Sequence, residues 1–350
     1  MKVKSMRVLL LHEMSGVHTE LKAGLIEIGI DTKIATFGDG WKKYRSDISL
    51  GLQSGIANGA INKIHSQIKL LKSLNEFDVV QSIAPIPFFS PLNQQFQAVA
   101  ANQVDKFFYI AAGSDAIYRK HVKSLPYYPP HDWYENIRAY KNLDRMLRRS
   151  SGIIPVCYEY EYCMKKDGRN PQQTTPFPIN ISKQKSSKLA TERKLKIFHP
   201  LNRLDPQNDF KGTSIIRCVF DRLSLKYSDV AEFIIVGGLP HEEYSELTDG
   251  VDIIVDQLNS MSYGMSAAYG LAKGKVVLSG LEEMTRNVEH YGQCPVINVI
   301  PDADDLFEKI EALIIDRSRI RMIGEHSRSY ARQFHDHIKV ATKFAKLYQS

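Results

Sequence analysis

Arg203 and Lys211 bracket a short polar loop that follows the apolar run Lys196–His199, and Gly212 comes directly after the lysine. A guanidinium just past a strand and an ammonium at the start of a helix together neutralise a diphosphate. The first acts through its planar fork, the second as a point charge. Some fifty residues on, the stretch from Val251 to Gln257 and then from Ser262 to Leu278 reads as strand, loop, glycine-opened helix of small residues, glycine stop and strand. The start of such a helix, at Gly264, Met265 and Ser266, offers unpaired N–H groups to phosphate oxygens. Ser266 adds a hydroxyl, and Ala267, Ala268, Gly270 and Ala272 let the helix lie close to its sheet. Gly237 and Gly238 end another apolar run, where the backbone can approach a ligand closely.

The first half of the chain carries fewer such groups. Gly16 allows a sharp turn between the first apolar run and the helix after it, and a phosphate contact or a purely structural turn fits equally. Asp115, behind Gly113 and Ser114, stands where a catalytic or hydroxyl-binding carboxylate stands, although Ser and Asp also suit a helix cap. Tyr158, Tyr160 and Tyr162, interleaved with Glu159 and Glu161, suit either sugar stacking or a solvated helix start. Asp302 and Asp304 open a helix over Leu306–Ile315 and are read as its cap. His335 and His337 fall in one long helix over Ser329–Leu347, on different faces, so they do not share a metal. Cys157, Cys163, Cys218 and Cys294 show no metal-ligand spacing and are read as free thiols of a reducing cytosol. No metal site and no cofactor is expected. No G-x-G-x-x-G run occurs, so the dinucleotide fingerprint is missing.

Elements that position these groups follow from hydrophobic pattern. Short apolar runs of the buried parallel-strand kind are Arg7–Leu11, Thr32–Thr36, Asp78–Ser82, Phe107–Ala111 and Ile153–Val156. A second series is Lys196–His199, Glu232–Val236, Asp252–Val255, Lys275–Leu278 and Val296–Val299. Amphipathic helices such as His18–Ile28 lie between them. With 350 residues, two domains are expected at about 100–200 residues each. The polar stretch Ser182–Lys194 reads as the linker. The expected fold class is α/β, with two Rossmann-like domains whose parallel sheets face a central cleft. The divisions are 1–185, 186–328, and a C-terminal helix over 329–350 that crosses back to the first domain.

Charge separates the halves. The net charge is +7, but residues 1–200 carry 29 Lys/Arg against 17 Asp/Glu, and residues 201–350 carry 17 against 22. The basic excess includes two helical segments, Ile56–Leu74 and Ile137–Arg149, either of which could rest on anionic lipid. Nucleic acid is not expected, because no recognition motif accompanies the charge. No apolar stretch is long enough to span a membrane. The expected location is cytoplasmic, with room for peripheral attachment at the inner face of the membrane.

Arg203, Lys211-Gly212, Gly237-Gly238 and Gly264…Ala272-Lys273-Gly274, in that order, resemble the donor domain of GT-B glycosyltransferases of the family-4-like group. The stretch from Asp256 to Met265 is similar to a bacterial surface-polysaccharide subgroup. The resemblance implies a metal-independent, retaining enzyme that moves a sugar from a nucleotide-sugar donor to a glycan or lipid-linked acceptor. It implies that Arg203 and Lys211 hold the donor diphosphate with Gly264, Met265 and Ser266. That group has two glutamates eight positions apart, the second on the ribose; here those positions are Met261 and Tyr269. Tyr269 can bond a ribose weakly, and Glu282 or Glu283 can supply a carboxylate. The expected donor-binding set is therefore Gly16, Arg203, Lys211, Gly238, Tyr263, Gly264, Met265, Ser266, Tyr269 and Glu282, with Asp115 as the catalytic candidate. Two alternatives are a sugar-nucleotide epimerase of the same fold and a non-catalytic partner subunit derived from a transferase.

Overall fold

The computed structural model describes residues 6–50, 65–66, 68–83, 101–130, 136–185, 193–201 and 209–350. The chain forms two compact units. One comprises Met1–His121, Trp133–Pro178 and His337–Ser350; the other comprises Val122–Asp132 and Ile179–Asp336.

Unit 1 is built on six parallel strands: β1 (Arg7–Leu11), β2 (Asp31–Thr36), β3 (Ile48–Ser49), β4 (Val79–Ile83), β5 (Phe107–Ala111) and β6 (Gly152–Pro155). Their spatial order is β3-β2-β1-β4-β5-β6. Strands β4 and β5 are buried throughout and β1 nearly so, which is why they read as unbroken apolar runs. Its helices are α1 (Val17–Glu27), α2 (Ala116–His121), α3 (Ile137–Leu147) and α4 (Tyr158–Lys166). Unit 2 holds five parallel strands: β7 (Leu195–Leu201), β8 (Ala231–Gly237), β9 (Ile253–Val255), β10 (Val276–Ser279) and β11 (Ile297–Asn298), ordered β11-β10-β9-β7-β8. Its helices are α5 (Thr213–Tyr227), α6 (His241–Asp249), α7 (Met265–Ala272), α8 (Ala303–Ile315) and α9 (Arg317–Phe334). The last helix, α10 (His337–Gln349), belongs to unit 1.

All ten expected strands are present to within a few residues. Strand β3 is additional: two residues long, it pairs only with β2, through Ala35 with Ile48 and Thr36 with Ser49. Asp302 caps α8 as its spacing predicts, accepting the N–H groups of Asp304 and Asp305 at 2.9 Å each. The single helix expected over Ser329–Leu347 is instead two. The chain breaks at His335 and Asp336, where the His335 carbonyl accepts the Ile179 N–H at 2.7 Å and Ile179 forms a parallel bridge with Asp336. Backbone paired to a strand-like segment cannot at the same time continue a helix. All four cysteines are free; Cys218 is exposed and the other three are buried. Among the described residues no helix is long and apolar enough to cross a membrane.

Helix α10 docks on α1. A methyl group at Gly24 would collide with the His337 carbonyl and crowd Ala341. Further along, the Tyr348 hydroxyl donates to Gln81 in the middle of β4 at 2.7 Å, and Lys106 donates to the Tyr348 carbonyl at 2.8 Å. Gly24→Val is expected to lower the unfolding free energy by about 1–3 kcal/mol, the range for overpacking a tight contact. Urea denaturation followed by circular dichroism measures it; unchanged stability contradicts this docking.

Candidate functional site

A parallel sheet opens at the point where its strand order reverses, and the loops that leave the carboxyl ends of the two strands there diverge to leave room for a ligand. In unit 2 that point lies between β7 and β9, which pair through Ile197 with Ile253 and Phe198 with Ile254. Strand β7 leads by way of residues 202–208 to Lys211; strand β9 leads directly to Asp256 and Gln257.

The two loops meet in an ion pair. Lys211 Nζ lies 2.6 Å from Asp256 Oδ1, with Lys211 8 % and Asp256 1 % exposed. The Leu258 N–H donates to the Lys211 carbonyl at 3.0 Å, so backbone and side chain both tie the loops together. Beneath the pair, fully buried His199 bridges the same two elements. Its Nδ1 lies 2.7 Å from the Val255 carbonyl, and its Nε2 lies 2.8 Å from Thr213 Oγ1. A carbonyl can only accept, so Nδ1 carries the proton and Nε2 accepts from the Thr213 hydroxyl. This is a neutral imidazole. Burial, with Lys211 nearby, pushes its pKa down to about 4.

Gly264 faces the ion pair. A side chain there would meet the Gln257 amide at 3.6 Å and Asp256 Oδ2 at 3.7 Å. Gly264 is the N-cap of α7, and among the described residues no side chain caps that helix, so its first N–H groups have no capping partner there. Helix α7 can sit this close to the sheet because Gly270 faces Ile254 and Val277; a methyl at that position would come within 2.9 and 3.0 Å of them. The local arrangement is thus an ammonium, a helix N-terminus and a buried carboxylate around one small space. The cation and the helix end favour an anionic group; the carboxylate requires a hydrogen-bond donor.

Of the other residues expected to bind donor, Met265 is buried and Ser266 half-buried in the first turn of α7. Gly238 adopts φ +73° just after β8, a conformation suited to glycine. Tyr269 is buried with its ring against His241 at 5.3 Å. Glu282 lies beside Met261, donating its N–H to that residue's carbonyl at 3.0 Å and accepting from Asn298 through Oε1 at 3.0 Å. Arg203 lies outside the described residues.

Three of the expected residues are engaged within the protein itself. Tyr263 is fully buried, and its hydroxyl lies 2.9 Å from the Tyr330 hydroxyl and 2.8 Å from His335 Nε2. It sits in the core and ties the end of α9 in place. Gly16 has φ +92°, but its N–H donates to Glu13 Oε1 at 2.9 Å, and the Thr19 N–H and hydroxyl both donate to Glu13 Oε2. The start of α1 is therefore capped by a carboxylate of its own chain, and burial pushes the Glu13 pKa up to about 7. Asp115 caps α2: Oδ1 accepts the Tyr118 N–H and Oδ2 the Tyr109 hydroxyl, each at 2.8 Å. Burial pushes its pKa up to about 6, and both oxygens are already bonded inside unit 1. Sequence reading missed Asp256 as a site residue, along with His199 and Tyr244.

No family model matches the sequence, and no curated protein matches it. Solved structures do match in fold. The sucrose-phosphate synthase of Thermosynechococcus elongatus superposes with a TM-score of 0.68 at 13% identity, over 98% of both chains. HepE of Anabaena, solved with UDP-glucose, gives 0.66 at 14% identity over 97% of this chain and 98% of that one. WaaG, a glycosyltransferase of lipopolysaccharide biosynthesis, gives 0.63 at 12% over 98% and 99%. The fold is GT-B. Two α/β units with parallel sheets of six and five strands are the fold class the sequence implies.

The pH dependence of stability tests the neutral imidazole at the β7–β9 junction. His199 has a lower pKa folded, about 4, than the ordinary histidine value of 6.5, so its contribution is fully present above pH 6.5 and is lost as pH falls toward 4. His199→Asn, which keeps a donor for the Val255 carbonyl, is expected to be less stable than the wild type at pH 7, with the gap closing toward pH 4. Denaturant titrations across that range measure it; a gap that widens on acidification contradicts the assignment.

Proposed function

We propose that this chain is a glycosyltransferase that binds a nucleotide-sugar donor in unit 2, with the diphosphate at the N-terminus of α7. The observation that carries the reading is the uncapped start of α7 at Gly264, set against Lys211 at the strand-order reversal of the sheet. Departure of a nucleoside diphosphate builds negative charge on its phosphate oxygens. Preorganised N–H dipoles and a fixed ammonium stabilise that charge without moving. Arg203, in the same loop by sequence, adds a bidentate cation, and the three together make the reaction metal-independent. HepE was solved with UDP-glucose, which makes uridine diphosphate sugars the first donors to try.

The finer parts of the proposal are a glycan or lipid-linked acceptor, a role in surface-polysaccharide synthesis and retention of configuration, and all three rest on the sequence resemblance. Unit 1 contributes a basic surface: Arg138, Lys141, Arg145, Arg148 and Arg149 are all exposed on or just past α3. That surface suits a cytoplasmic enzyme docking on anionic lipid to reach a lipid-linked acceptor. A non-catalytic partner subunit is the second reading, favoured by Met261 and Tyr269 standing where the related enzymes carry glutamates.

Calorimetric titration with a panel of nucleotide-sugars, followed by a turnover assay, separates these readings. The proposed enzyme binds at least one donor and hydrolyses or transfers its sugar; a chain that binds none is neither transferase nor epimerase. Gly264→Ala is the informative variant, because a Cβ there meets only ordinary contacts yet intrudes on the space before the helix. It is expected to fold and to lose at least tenfold in donor affinity. Unchanged affinity overturns the diphosphate position.

A further inference from the structure

Asp256 uses only half of its carboxylate. Oδ1 is paired with Lys211, whereas Oδ2 is buried with no hydrogen-bond partner among the described residues. A buried, unbonded oxygen on a charged group costs about 1–3 kcal/mol or more, so such atoms are kept where something else bonds them. Oδ2 points at the space beside Gly264, in line with the start of α7. A second buried oxygen lies within the field of the same carboxylate. The Tyr244 hydroxyl lies close to Ser266 but has no well-aligned hydrogen bond among the described residues, and burial together with the Asp256 charge raises its pKa.

Chemistry narrows what fits between them. A phosphate oxygen is repelled by Oδ2, and a carbonyl has nothing to donate. A hydroxyl donates to Oδ2 and still accepts from Tyr244, satisfying both orphaned atoms at once. We propose that Asp256 is a hydroxyl-binding residue of this site, its Oδ2 accepting an O–H from a sugar ring of the donor with Tyr244 bonding the same group. The inference rests on the donor reading above and extends it. The phosphates meet Lys211 and the helix, and a ring hydroxyl meets the far oxygen of the carboxylate that holds Lys211 in place. Asp256 thereby supplies from the end of β9 a carboxylate that positions 261 and 269 lack.

Ribose and the transferred sugar both carry such hydroxyls, and deoxy probes tell them apart. The full chain is titrated calorimetrically with UDP, 2′-deoxy-UDP, 3′-deoxy-UDP, UDP-glucose and UDP-2-deoxyglucose. One deletion is expected to weaken wild-type binding about tenfold or more, the loss of one hydrogen bond to a charged group. Loss on a ribose deletion identifies the ribose; loss on the glucose deletion identifies the sugar. Asp256→Asn keeps the side-chain volume and an oxygen for Lys211, and it is expected to bind the hydroxyl and deoxy forms equally. Tyr244→Phe removes a hydroxyl with no well-aligned hydrogen bond, so it is expected to leave folding stability unchanged while weakening the same probe. If no deletion affects wild-type binding, or if Asp256→Asn preserves the discrimination, the inference is overturned while the donor reading stands. If the wild type binds none of these probes, binding of another nucleotide-sugar keeps the donor reading, and the same deletions on that compound decide the hydroxyl contact.

Discussion

The ion pair between Lys211 and Asp256 holds together the two loops that form the candidate site of unit 2. Two charges taken out of water are tolerated only when each holds the other and the geometry is tight; removing one partner of such a pair costs about 3–5 kcal/mol. The pair therefore clamps the loop after β7 to the loop after β9 where the sheet diverges. His199 supports it from below by staying neutral, since a second positive charge beside Lys211 would weaken the clamp. The side chain that could anchor a phosphate is thus preorganised, and little ordering remains to be done when a ligand arrives.

Unit 1 answers the same problem of buried polarity in the opposite way. Gln81, in the central strand β4, is fully buried, and its amide is bonded to His18 and to the Tyr348 hydroxyl. His18 donates through Nδ1 to the His12 carbonyl, so its Nε2 accepts from Gln81, and burial holds the ring neutral with a pKa near 4. Glu13 and Asp115 close the starts of α1 and α2 with carboxylates of the chain itself. Here Gln81, His18 and Tyr348 satisfy one another and tie α1, β4 and α10 together, while both ring nitrogens of buried His12 have no partner among the described residues. In unit 2 the start of α7 and the far oxygen of Asp256 are left without such partners. The two helix starts differ in that Glu13 holds the N–H groups of α1 and no comparable carboxylate holds those of α7, which supports proposing an anion at α7.

Much of this was legible in the sequence, for identifiable reasons. Strands buried on both faces leave unbroken apolar runs, which is how β1, β4 and β5 were found. The glycine before α7 and the lysine before Gly212 could be read locally, because turn and helix-start chemistry is local. Strand β3 could not, since two residues pairing at an edge leave no periodic signal. The break after α9 comes from pairing with Ile179, more than 150 residues away, and no residue at the break announces it. Asp256 was visible as a carboxylate at a strand end, but its partner lies 45 residues earlier and only the fold brings them together. The capping of Gly16 did have a signal that went unused. Glu13 stands three residues before the turn glycine, a spacing from which its carboxylate reaches back to the helix start.

The proposed donor position seats a diphosphate on the first N–H groups of α7 beside Lys211. Amide chemical shifts of the labelled chain, followed by nuclear magnetic resonance during titration with UDP, test it most directly. Gly264, Met265 and Ser266 are expected to shift together and saturably, while the amides of Gly16 and Thr19, whose N–H groups are held by Glu13, stay in place. Shifts centred on the start of α1, with none at α7, would contradict it.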